Sequence, residues 1–126
     1  VNNSLRKLYR NRLMEWARLA PEEFYELFLK FSSVNDPQIK SDLFSILMCL
    51  IYDTANQELT KSVSNWILEN ILHPDKIDNN RDISIRYYSI AIIKRAVTME
   101  ILDEQSIIAY MPPYSVSGNH IEQECS

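Results

Sequence analysis

Gly118 is the only glycine in the chain. Primed hairpin turns, phosphate-cradling loops and the tight crossings of nucleotide folds all draw on glycine for positive φ. The residues before Gly118 are closed to those solutions, which leaves helices joined by short turns. The helical spacing of apolar residues agrees. Along 82–97, Ile85, Ser89, Ile92, Ile93 and Ala96 form one stripe, and Ile83, Tyr87, Ile90 and Val97 form a second beside it. A helix with two apolar stripes needs neighbours on both.

The remaining elements follow in order. Ser4 caps a first helix to about Leu19, with Leu5, Tyr9, Leu13, Trp16 and Ala20 along one side and Arg6, Lys7, Arg10 and Arg18 on the other. Arg12 lies near the apolar side, so its head must snorkel outward or meet Glu15. Pro21, followed by Glu22 and Glu23, opens a second helix with an aromatic face of Phe24, Phe28 and Phe31. Asp36-Pro37 opens a third, in which Ile39, Leu43, Ile46, Leu47, Leu50 and Ile51 keep helical offsets. A fourth carries Leu59, Val63, Trp66, Ile67 and Ile71 and stops at His73-Pro74. After the helix that begins at Asp82, a short one from Asp103 to about Tyr110 turns Ile107 and Ile108 inward, and Pro112-Pro113 breaks it. These spacings imply an all-α fold of five to six helices in one domain over 1–111, with an irregular tail over 112–126.

Charge and cysteine usage narrow the setting. The net charge of −4 gives no general attraction to nucleic acid or to an anionic membrane. The longest apolar run, 46–51, is far short of the roughly 20 residues that span a bilayer. Cys49 sits in an apolar run and Cys125 almost at the end, a spacing that does not read as a disulfide framework; a reduced, cytoplasmic setting is expected. With no initiator Met and no leader before the first helix, the chain reads as part of a longer intracellular protein.

The third and fifth helices echo each other. With a shift of 46 residues, Asp36 falls on Asp82, Ile39 on Ile85, Lys40 on Arg86 and Ile46-Leu47 on Ile92-Ile93. A capping Asp, an apolar residue three further on and a basic residue beside it resemble the second helix of a HEAT repeat, a unit that stacks on copies of itself. The resemblance covers about residues 20–100. It implies antiparallel helical hairpins stacked as a short HEAT/armadillo-like α-solenoid, with the first and last helices as caps. It also implies a role in binding other proteins and, less commonly, nucleic acid.

No residue pattern points to a reaction. Gly-x-Ser-x-Gly, His-Glu-x-x-His and a phosphate-binding loop are lacking, and the two histidines lie apart from both cysteines in sequence. A non-catalytic scaffold or interaction module that uses no cofactor, metal, membrane or small-molecule substrate is the expectation. The candidate partner-binding residues are Arg6, Lys7, Arg10 and Arg18, which hold four of the five cationic side chains of the first 18 residues, together with Tyr87 of the Tyr87-Tyr88 doublet. The same basic side is the alternative nucleic-acid surface. Asp82 and Arg86, four apart, are expected to form a structural ion pair.

Overall fold

The computed structural model describes residues 3–34, 36–73, 75–76, 82–107 and 125. They form six helices: α1 (Asn3–Leu19), α2 (Pro21–Phe31), α3 (Pro37–Thr54), α4 (Gln57–Asn70), α5 (Ile83–Thr98) and α6 (Glu104–Ile107). No strand occurs among the described residues. The all-α expectation is met, and the final helix lies within the expected span, whose part from Ile108 onward falls outside the described residues.

Ser4, expected to cap the first helix, lies within α1, but three other helix starts obey local chemistry. Asp36 accepts from the N–H groups of Gln38 (3.0 Å) and Ile39 (3.2 Å), and Pro37 supplies the first helical residue. Asp82 repeats this geometry on Ser84 (2.9 Å) and Ile85 (3.2 Å), so the two echoed sites begin their helices in the same way. Asn56 accepts from the Leu59 N–H (3.0 Å) at the start of α4. In each case a side-chain oxygen satisfies donors that a first turn leaves without intrahelical partners. Asp82 is thereby committed to its own helix terminus. Its expected ion pair with Arg86 does not form among the described residues.

The core centres on α3. Every residue from Leu43 to Ile51 is buried, a run that leaves no wet side on that part of the helix. On α5, Ile85, Ser89 to Ile93 and Ala96 are buried, as two stripes require, whereas Ile83 at the first turn is 83% exposed and takes no part in the second stripe. The α3 helix packs against α1, α2 and α5, and α5 packs against α3 and α4. Phe28 of α2 stands edge-on to Phe44 of α3 (5.0 Å) and to Trp66 of α4 (5.1 Å), an arrangement that joins three helices by ring quadrupoles as well as buried area.

Helix directions follow from the bonds between elements. Arg6 bonds Asp42, Arg10 bonds Ser45 and Arg18 bonds Asp53, at separations of 36, 35 and 35 residues. Equal steps along both helices mean that α1 and α3 run parallel. Tyr25 with Ser62 and Phe28 with Trp66 relate α2 to α4 in the same sense.

The expectation of two unbridged cysteines is overturned. Cys49 and Cys125 form a disulfide, with Cα atoms 5.4 Å apart, and Cys125 packs against the core. The fold carries residue 125 back to the middle of α3, a proximity that a 76-residue separation hides.

Candidate protein-docking face

The first helix is rotated by about a quarter turn from the orientation its apolar residues suggested, with Leu13 common to both. Leu13, Met14 and Ala17 face α3 and α2, and the basic row Arg6, Arg10 and Arg18 borders α3 with them. The physical cause lies in α3, whose Asp42, Ser45 and Asp53 present acceptors at the pitch of that basic row. Arg6 places Nη2 2.7 Å from Asp42 Oδ1 and Nε 3.3 Å from Oδ2, a two-pronged contact. Arg18 reaches Asp53 Oδ2 at 2.7 Å. Arg10, half-buried, donates to Ser45 Oγ and lies 4.0 Å from Cys49 Sγ. Both ion pairs are substantially exposed, so each contributes well under about 1 kcal/mol, and their effect is chiefly to set rotation and register.

That rotation turns apolar residues to solvent. Leu5 is 65% exposed, Leu8 52%, Tyr9 66%, Trp16 39% and Leu19 87%. With Arg12 they occupy offsets 0, 3, 4, 7, 11 and 14 along α1, one continuous face of a helix. Leu5, Tyr9 and Trp16, expected inward, belong to this face; Trp16 retains an edge contact with Phe24 at 6.0 Å. Arg12 neither snorkels from a core nor pairs with Glu15. It is exposed and has no hydrogen-bond or ion-pair partner among the described residues.

Two hollows flank α1. An apolar cavity of about 250 Å³ lies between α1, α2 and α3, lined by Tyr9, Leu13, Leu27, Phe31, Ile39 and Leu43, with Arg10 and Asp42 at its edge. A shallower polar one of about 360 Å³ shares Arg10 and Asp42 and adds Arg6, Lys7, Ser45 and Tyr88. The structure thus brings Arg6, Lys7 and Arg10 together and leaves Arg18 elsewhere on α1. Tyr88, and not the anticipated Tyr87, is the tyrosine on that hollow. Both rings are half-buried and pack on the core, and they meet edge-on at 5.5 Å. The sequence signal for Tyr88 was its place in the doublet, one helical step from Tyr87, and the direction each ring takes from α5 was set only by the fold.

The described residues contain no group of His, Cys, Asp and Glu able to hold a metal ion. His73 Nδ1 accepts from the Asp75 N–H at 3.1 Å. The same nitrogen lies 3.6 Å from the Asp75 carboxylate, but a nitrogen that accepts carries no proton, so the hydrogen bond and an ion pair through Nδ1 exclude each other. His120 lies outside the described residues. No helix in the described residues is long and apolar enough to cross a membrane. Compared with protein-family models, with curated proteins and with solved structures, the chain matches none.

Proposed function

We propose that the chain is a non-catalytic protein-interaction module, a HEAT-like pair of helical hairpins that presents the outer face of α1 to a protein partner. The apolar side chains left in water along that face carry the reading, because a run of large exposed apolar residues on one helix marks an interaction surface. The hairpin reading is supported by the parallel pairs α1 with α3 and α2 with α4 and by the shared capping of α3 and α5, the relations that stacked hairpins require. The disulfide is a bond of oxidising compartments, so a cytoplasmic placement is no part of this proposal.

A photo-crosslinking amino acid at Leu8, compared with one at Ser33 on the α2–α3 turn, tests the docking face. Discrete protein adducts at position 8 and none at 33 are expected; equal, diffuse labelling at both would sink the reading.

Nucleic-acid binding is the second reading, favoured by Arg6, Lys7, Arg10 and Tyr88 around one hollow. It is the weaker one, because Asp42 sits in the same hollow and both arginines already have acceptors inside the chain. Binding to duplex or single-stranded nucleic acid that falls steeply over a salt series would favour it over the protein-docking reading.

A further inference from the structure

We infer that the occupant of the α1 face is an amphipathic helix of another protein carrying a carboxylate at the centre of its apolar stripe, an inference that rests on the docking reading above. Leu5, Leu8 and Tyr9 lie on one side of Arg12, and Trp16 and Leu19 on the other, over about 21 Å at 1.5 Å per residue. Arg12 is the only charged residue at these spacings, and no described carboxylate, Glu15 three residues on included, is in ion-pair contact with it.

A purely apolar partner helix would bury that guanidinium without compensation, at a cost that outweighs much of the gain from covering the leucines. A carboxylate opposite Arg12 removes the cost and fixes the register, as a single polar residue does in a helical seam. A second copy of this chain fits poorly. Pairing α1 with itself about the middle of the stripe, antiparallel or parallel, sets Arg12 against Arg12. An anionic lipid surface also fits poorly, since the stripe holds a single cation in a chain of net charge −4.

The test uses the intact chain and three synthetic helical peptides of about three heptads with leucine at the seam positions. Glutamate, lysine or leucine occupies the central seam position, and binding is read by isothermal titration and by Trp16 emission in a Trp66→Phe background. The expected result is that the glutamate peptide binds about tenfold tighter than either other peptide, a difference of one well-placed charge pair. Arg12→Glu should invert the preference in favour of lysine, and Leu8→Asp should abolish binding of all three while leaving the circular dichroism unchanged. Equal binding of the three peptides, sensitive to Leu8→Asp, overturns the carboxylate and leaves the docking face standing. No binding by any peptide overturns both. Self-association in sedimentation, or binding to phosphatidylserine vesicles, that Leu8→Asp removes would replace the proposed partner by a second copy or by a membrane.

Discussion

Ser89 lies fully buried in α5, and its hydroxyl has no hydrogen-bond partner among the described residues. A buried, unpartnered hydroxyl has lost water without replacement, so Ser89→Ala should raise the unfolding free energy by about 0.5–1.5 kcal/mol, read by urea denaturation. A loss of stability would mean that the hydroxyl is bonded in solution. Tyr52 donates to the Ala91 carbonyl at 3.2 Å with the Arg95 guanidinium 5.1 Å from its ring centroid. Burial raises its pKa, and Arg95 offsets this only in part; burial also raises that of Tyr25. Above pH about 10 the unfolded chain therefore releases these protons while the folded chain keeps them. The folded state then binds more protons, so stability is full below that pH and falls as pH rises past it. Tyr52→Phe should flatten this alkaline fall in urea midpoints measured from pH 8 to 11, whereas an unchanged slope would show that Tyr52 does not contribute. Neither residue was legible beforehand as special. Ser89 reads as a gap in an apolar stripe, and Tyr52 as the last residue before a polar helix end.

Glycine scarcity shapes the helix ends. Ala55 closes α3 at φ 50° and Glu100 follows α5 at φ 62°, left-handed positions that glycine usually fills. An L-residue there carries a steric cost that exceeds the extra freedom glycine has when unfolded. Ala55→Gly should stabilise by about 0.5–1 kcal/mol and Ala55→Val should destabilise, both measurable as shifts in denaturation midpoint. The starts of α3 and α5 were legible because Asp36 and Asp82 act on N–H groups two or three residues away; Asn56 does the same for α4, but as one residue of a polar stretch it was not singled out. The rotation of α1 was not legible. Two rows of that helix have plausible claims on the core, Leu5, Tyr9, Leu13 and Trp16 against Leu13, Met14 and Ala17, and the decision falls to acceptors some 35 residues away on α3.

The disulfide ties the middle of α3 to residue 125 across 76 residues, and its loss should release denatured-state entropy that the bridge removes. Cys125→Ser should lower the unfolding free energy by about 2–4 kcal/mol, and a reductant should lower the urea midpoint of the native chain but not of the variant. Equal reductant effects on both would show that the bridge does not form. The all-α fold, the Asp36 and Asp82 caps and the apolar spacing along α3 were already present in the amino-acid order, because turn-by-turn periodicity and capping act over a few residues. Which face of α1 meets water, which tyrosine borders the polar hollow and which cysteines join were decided only in three dimensions. Each depends on what a distant segment presents, and no local spacing encodes that.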